Sequence, residues 1–288
     1  MKSFIYKLRR KLQYYAFDIL GAETMSKIYF RIVLKQKLHL DNPQTFNEKI
    51  QWYKLFYCPN NPEVIICSDK YRIREYLRKK NLVKYAIPLI GVWERTEEIP
   101  WNDLPDKFVL KCNHGCAYNI ICKDKNSIDK KKIMSQLDKW LREDFGKFNA
   151  EIHYSQIKPR IVCEEYLGDG IDNFLVDYKI HCFNGEPRFV LICSDREGNK
   201  SNYNYYDLKW SRLDYSNTQV KEFKRPNSFD EMISISKIIA NDFPFIRVDF
   251  YEINNQPIIG ELTFVPAGGL DETLPKKADY EIGKMLSL

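Results

Sequence analysis

Apolar and polar positions recur along this chain with two different periods, and the change of period divides it. Over residues 1–66 the spacing is mostly helical, and Phe4, Ile5, Leu8, Leu12, Tyr15 and Ile19 fall on one face of a first helix. Asp41-Asn42-Pro43 reads as a turn, and Thr45-x-x-Glu48 starts a helix running through Lys54, because those two side chains can cap each other's amides. Cys58-Pro59-Asn60-Asn61-Pro62 breaks the pattern, after which Ser68 or Asp69 caps a charged helix over residues 70–80. The period then shortens to two, with short strands around residues 86–92, 108–111 and 120–122. Ile133, Leu137, Trp140 and Leu141 restore a helical stripe over residues 129–145. Strand-like runs follow at residues 160–165, 177–183, 188–194, 246–251 and 257–262, with Asn184-Gly185 as a hairpin turn and a helix over residues 229–241. This order predicts an α+β fold: a helical region over 1–66, a small mixed lobe over 67–165, and a larger antiparallel-rich lobe over 166–288.

Composition narrows the class. At 44% hydrophobic and 29% charged, the 288 residues make a globular chain with room for a sizeable core. The net charge of +6 suits phosphate-bearing or acidic substrates and falls short of a nucleic-acid signature. No apolar run approaches the roughly 18 to 20 residues of a membrane span, and no signal-peptide pattern is present. The eight cysteines form no C-x-x-C pair and several sit in apolar runs, so a cytoplasmic protein with reduced thiols is expected. Cys112, His114 and Cys116 lack a fourth ligand at zinc spacing. Lys2, Lys7, Arg9, Arg10 and Lys11 cluster beside the apolar face of the first helix. That face is expected to pack on the protein's own body; contact of residues 1–20 with anionic lipid is the other reading.

The chemistry concentrates in five places. Arg247-Val248-Asp249-Phe250 and Ile259-Gly260-Glu261-Leu262-Thr263 are apolar runs that each present an acid, and a short connector brings Asp249 and Glu261 together as hard-oxygen ligands for Mg²⁺. Arg247 shares a strand face with Asp249, where a guanidinium suits a transferring phosphoryl group. Lys111 ends a strand beside a small polar loop, so that it and the backbone amides from His114 through Gly115 to Asn119 are expected to hold nucleotide phosphates. Glu164 and Glu165 end another strand and are expected at the adenosine, although alternation turns only one of them toward it. Asp177 and Lys179 share one face, either as a surface ion pair or as ribose acceptor and phosphate donor.

Taken in order, Asp69-Lys70-Tyr71, Leu110-Lys111-Cys112-Asn113-His114-Gly115, Glu164-Glu165-Tyr166, Asp177-Tyr178-Lys179 with Asn184-Gly185-Glu186-Pro187, Arg247-Val248-Asp249-Phe250 and Glu261-Leu262-Thr263-Phe264-x-Pro-x-Gly-Gly resemble the TupA-like branch of the ATP-grasp enzymes over residues 45–285. The resemblance implies two α+β lobes clasping ATP, and a carboxylate activated as an acyl phosphate that an amine attacks to form an amide. It places Lys70 and Lys111 on phosphates, Glu164 and Glu165 at adenosine, and Asp249, Glu261 and Thr263 on Mg²⁺. Arg247 and Lys179 become the catalytic cations. The chain departs from the pattern of many such ligases at Thr263, where they carry Asn, and in a phosphate loop poorer in Gly and Ser.

An ATP- and Mg²⁺-dependent carboxylate–amine ligase of surface polysaccharide synthesis is therefore the leading expectation, acting on a uronic acid or amino acid at the inner face of the membrane. A kinase acting on a sugar hydroxyl, with Asp271 or Glu272 as base, and a non-catalytic glycan-assembly protein remain the alternatives.

Overall fold

The structure, a computed structural model, describes residues 2–168, 175–194, 202–216 and 221–288; for residues 2–9 and Ser194 it describes the backbone alone. Two compact units emerge, both discontinuous in sequence. The first comprises Met1–Lys37, Lys54–Tyr76 and Pro88–Tyr166, and the second Leu38–Tyr53, Leu77–Ile87 and Leu167–Leu288. The helical stretch expected as one region over 1–66 is thus shared out between the two units.

In the first unit, β1 (Leu89–Trp93), β4 (Ile161–Glu165), β2 (Phe108–Cys112) and β3 (Asn119–Cys122) form an antiparallel sheet in that spatial order. Alternation along β2 buries Phe108, Leu110 and Cys112 in a core shared with Ile161, Cys163 and Phe145, leaving Lys111 on the opposite face. Helix α5 (Lys130–Leu141) adds Ile133 and Leu137 to that core, with Trp140 and Leu141 packed at its margin as the stripe predicts. Helix α3 (Pro62–Ser68) begins where a break is expected. Pro62 occupies the first turn, where a missing N–H costs nothing, and the Asn61 side chain accepts from the amides of Glu63 and Val64. The charged helix following Asp69 begins later than expected, as α4 (Ile73–Lys79), because the Asp69 carboxylate first holds the amides of Tyr71 and Arg72 in a turn.

Helix α1 (Lys2–Val33) overturns one expectation. Its contact with the unit runs through Arg10, stacked 3.6 Å over the Phe148 ring, and Tyr14, edge-on to the same ring and bonded to the Asp144 amide. The face carrying Leu12, Tyr15 and Ile19 points to solvent. The side chains of Phe4, Ile5 and Leu8, on the same predicted face, lie outside the described ones. Gly21, at φ 73°, interrupts the helix and resets its phase.

His153 supplies a pH dependence for this unit. It is 1% exposed, and burial, assisted by nearby Lys54, lowers its pKa to about 3. A folded pKa below the ordinary histidine value means that the stability is fully present above about pH 6.5 and is lost as the pH falls toward 3. Lowering the pH from about 7 to about 5 is expected to cost roughly 2 kcal/mol through this residue. Urea unfolding of the protein and of His153→Gln at both values checks this, and equal losses would reject it.

The second unit is built on a six-stranded antiparallel sheet ordered β10 (Gln256–Thr263), β9 (Phe245–Ile253), β5 (Asp177–Phe183), β6 (Glu186–Ser194), β7 (Asn202–Asp207) and β8 (Arg212–Leu213). Asn184 (φ 49°) and Gly185 (φ 84°) close the β5–β6 hairpin, as a two-residue turn with both central residues left-handed requires. Ile180, Val190, Ile246, Val248 and Phe250 are buried between this sheet and α6 (Phe229–Ala240), to which Phe229, Met232, Ile235 and Ile239 contribute. On the other face, Phe46 of α2 (Phe46–Trp52) packs on Phe183 and Phe245. The expected capping box is formed by Thr45 and Glu48, and the α2 amide of Asn47 donates to Asp279 of α7 (Lys276–Gly283) at 2.8 Å.

Candidate active site

One chemical cluster lies on each unit. On the first, Glu164 stands on the same sheet face as Lys111, with β4 Glu164 opposite β2 Val109 and Val162 opposite Lys111. The Glu164 carboxylate bonds Lys111 Nζ through one oxygen and Arg74 Nη2, at 2.6 Å, through the other. Arg74 and Glu164 are both about 5% exposed, so their ion pair is buried, with Lys111 half-buried beside it. Arg74, a member of an ordinary-looking charged helix, has no signal in the sequence. Of the two glutamates expected at adenosine, Glu164 is thereby committed to cations, whereas Glu165 is exposed and donates its amide to Pro88 O at 3.1 Å.

The loop after Lys111 is braced from several sides. Asn113 Nδ2 donates to Asp69 Oδ1 at 2.9 Å, its Oδ1 accepts the Arg160 amide at 2.6 Å, and Lys70 Nζ donates to Gly115 O. Lys70 is therefore tied to the loop on which the phosphates are expected. Gly115 is required by space, since a Cβ would meet the Phe145 ring at 2.7 Å. Asn119 is exposed and sits opposite Lys111 at the start of β3. His114 differs from a phosphate-binding side chain. Its ring is buried, and Nε2 donates to the carbonyls of Trp140 and Glu143 at 3.0 and 3.2 Å, leaving Nδ1 unprotonated. Burial lowers its pKa. The main chain of His114, whose amide is expected on phosphate, is what remains for a ligand.

The second unit gathers more of the expected residues. Cross-strand pairing puts Lys179 opposite Asp249, His181 opposite Arg247, Glu261 opposite Asp249 and Thr263 opposite Arg247. Arg247 donates Nε and Nη2 to the two Asp249 oxygens, at 2.7 Å each, and Nη2 also to Thr263 Oγ1 at 3.1 Å. Lys179 Nζ lies 2.6 Å from Asp177 and 2.5 Å from Asp249. Burial opposes both charges here. Against it, the charges of Arg247 and Lys179 hold the Asp249 carboxyl below its ordinary range, and Asp249, Glu261 and Asp177 keep Arg247 protonated. Three acids thus surround two cations, with the acids in excess by one.

Glu261 reaches this face through a β-bulge. Ile259 pairs with Phe250, yet Glu261 pairs with Asp249, so Gly260 is an extra residue between two ladder positions. Unbulged pairing would set Gly260 against Asp249 and turn Glu261 to the α6 side. Glu261 and Asp249 are therefore immediate cross-strand neighbours, whose Cβ atoms stand about 5 Å apart in such pairs. This donor set fits Mg²⁺, which takes one or two carboxylates and completes its shell with water and substrate phosphate oxygens. Among the described residues no group of three or more His, Cys, Asp or Glu is arranged to hold a metal ion by itself.

Beside the cluster lies a cavity of about 250 Å³ in the same unit. Lys179 and Arg247 form its cationic end, and Phe189, Tyr203 and Tyr205 its aromatic wall. His181 stacks on Phe189 at 4.5 Å, and its pKa is lowered to about 3 by burial and Arg247, so it lines the cavity as neutral imidazole. Pro266 and Ala267 border the cavity, while Gln51 Nε2 holds the carbonyls of Gly268 and Gly269 at 2.9 and 2.8 Å. Gly268 and Gly269 are thus anchored to α2, and Gly269 has no room for a Cβ beside Gln51.

A lysine-bearing antiparallel sheet, followed in sequence by a larger one whose last hairpin pairs two acids beside an arginine, defines an α+β protein of the ATP-grasp class. The chain belongs to the TupA-like ATP-grasp family, which it matches over residues 48–287. No curated protein matches it. Among solved structures it is similar to D-alanine–D-alanine ligase from Bacillus anthracis complexed with ATP, at 14% identity over 76% of this chain and 61% of that one, with a TM-score of 0.45. It is also similar to D-alanine–D-alanine ligase from Helicobacter pylori (12%, 85% and 68%, TM-score 0.45) and L-amino acid ligase from Bacillus licheniformis (11%, 86% and 54%, TM-score 0.45). The chain spans less than two thirds of the length of the Bacillus anthracis ligase.

Proposed function

We propose that this protein is an ATP- and Mg²⁺-dependent ligase that joins a carboxylate to an amine through an acyl phosphate, in the synthesis of a surface polysaccharide. The observation that carries this reading is the pairing of Asp249 with Glu261 on the face that holds Lys179 and Arg247, at the edge of a cavity with a cationic end. In this reading Lys70, Lys111 and the main chain of His114 to Asn119 bind nucleotide phosphates, Glu165 takes the adenosine side, and Asp249, Glu261 and Thr263 hold Mg²⁺. The metal supplies charge neutralisation between phosphates and acidic groups.

The remaining roles belong to side chains of the second unit. A carboxylate attacking a phosphoryl group brings two anions together, and fixed cations lower that repulsion without reorganising. Lys179 and Arg247 occupy the cavity end where a substrate carboxylate would be drawn, and the acids that hold them fix their positions. The aromatic wall suits the ring of a uronic acid better than a short extended acid. The acyl phosphate forms as its oxygen displaces ADP; amine attack at the acyl carbon then expels phosphate and leaves an amide. Asp271 also borders the cavity, which keeps a kinase acting on a sugar hydroxyl as the second reading.

Incubating the protein with ATP, Mg²⁺ and mixed uronic acids, amino acids and amino sugars, and weighing the products by mass spectrometry, tests this. Condensation with loss of one water, with ADP and phosphate released, is the expected result. Phosphoryl gain on a sugar with ADP alone would replace the ligase by the kinase.

A further inference from the structure

The most solvent-directed apolar stripe on the first unit belongs to α1 and has no part in the proposed chemistry. Arg10 over Phe148, Tyr14 against the same ring, and Asp18 at 2.6 Å from Lys147 Nζ set residues 10, 14 and 18 as the inner side of the helix. The other side carries Leu12, Tyr15 and Ile19, which are 60%, 59% and 81% exposed. Their spacing of three and four residues aligns them in one stripe, with Leu20 at its edge. Charge on the helix is one-sided, with seven lysines and arginines against two acids. Beneath the stripe runs a groove of about 350 Å³ lined by Tyr15, by the cations Arg10, Lys11 and Lys139, and by the acids Asp18 and Glu143.

We propose that this face of α1 lies on an anionic membrane surface, with Leu12, Tyr15 and Ile19 at the acyl boundary and the net positive charge of the helix drawing it to lipid phosphates. A basic helix with an apolar stripe lies in the interfacial plane, its long cationic side chains reaching the headgroups while their stems cover apolar surface. Tyrosine, apolar at its ring and polar at its tip, suits that depth. A second copy of the chain is a poorer occupant, since two such helices would oppose like charges. Among the described residues no helix is long and apolar enough to cross a membrane. The inference does not depend on the ligase reading.

Co-sedimentation of the full chain with phosphatidylcholine vesicles, alone or with roughly one third phosphatidylglycerol, in about 0.1 M salt tests it. The expected result is at least about tenfold more protein on the anionic vesicles, falling as the salt is raised toward about 0.5 M. Ile19→Glu, and independently Leu12→Glu, should each lower that binding several-fold without changing the circular dichroism or the melting temperature, because both sites are exposed. Equal partition onto neutral and anionic vesicles, absence of binding, or unchanged binding by both variants would overturn it. So would a dimer in sedimentation velocity that Ile19→Glu dissociates, which would assign the stripe to a second copy.

Discussion

Asp249→Asn is expected to lose both turnover and a large part of the stability, whereas Glu261→Gln loses turnover alone. The two acids oppose each other across β9 and β10, but their surroundings differ. Asp249 is 3% exposed and neutralises two buried cations, Arg247 through both oxygens and Lys179 through one. Removing its charge strips Arg247 of its bidentate acid and leaves Lys179 with Asp177 alone, a loss of about 3 kcal/mol for breaking a buried pair. In a chain of this size that lowers the melting temperature by roughly 10 °C. Glu261 is more exposed, and its amide replacement fits the same bulged strand. Either change is expected to lower product formation at least about a hundredfold, equivalent to roughly 2.7 kcal/mol of transition-state stabilisation. Melting curves and product yields for both variants check this. The double variant Asp249→Asn with Lys179→Met should regain part of the stability and none of the activity. Near-normal turnover by Glu261→Gln would reject the metal assignment.

Lys111→Met and Glu164→Gln, two changes within one ion cluster, are expected to fail differently. Glu164 is bonded on one side to Lys111 and on the other to Arg74, the latter at 2.6 Å. With Lys111 replaced by an apolar chain of similar length, Glu164 keeps Arg74, so the fold holds while the nucleotide loses a phosphate contact. ATP affinity should fall about tenfold, equivalent to roughly 1.4 kcal/mol. With Glu164 neutralised, buried Arg74 loses its acid and faces half-buried Lys111, and about 3 kcal/mol of stability is expected to go. Titration calorimetry with ATP and Mg²⁺, together with melting curves, separates the two. Unchanged ATP affinity in Lys111→Met would remove Lys111 from the phosphate site and leave it a partner of Glu164 alone.

The legible parts of this fold and site are those set by local chemistry. Asn184-Gly185 announced its hairpin because few residue pairs accept two left-handed positions, and Thr45 with Glu48 announced a helix start because each satisfies the other's amide. Asp249, Glu261, Lys111 and Arg247 stood out because acids and cations inside apolar runs are costly unless partnered. What escaped depended on distant partners. The strand β7 reads as polar, Asn-Tyr-Asn-Tyr-Tyr-Asp, yet Tyr205 is packed against Phe189 and Tyr215, Tyr206 is stacked on Trp210, and the Asn204 side-chain Oδ1 accepts the Lys221 amide. Pro62 reads as a breaker in the sequence and opens a helix in the fold, a distinction that rests on the side chain of Asn61. The outward turn of Leu12 and Ile19 was unreadable for the same reason, since periodicity locates an apolar face without saying what meets it.

The bulge at Gly260 sets two adjacent codons apart. Deleting this residue would take away no side chain, no charge and no ligand. It would leave Ile259 opposite Phe250 and bring Glu261 directly after it, still opposite Asp249, so that only the bulge and its local bend are lost. In a survey of single-codon deletions, loss of the codon for Gly260 should therefore be far better tolerated than loss of the codon for Glu261, which would set Gly260 opposite Asp249 and leave the ladder without its second acid.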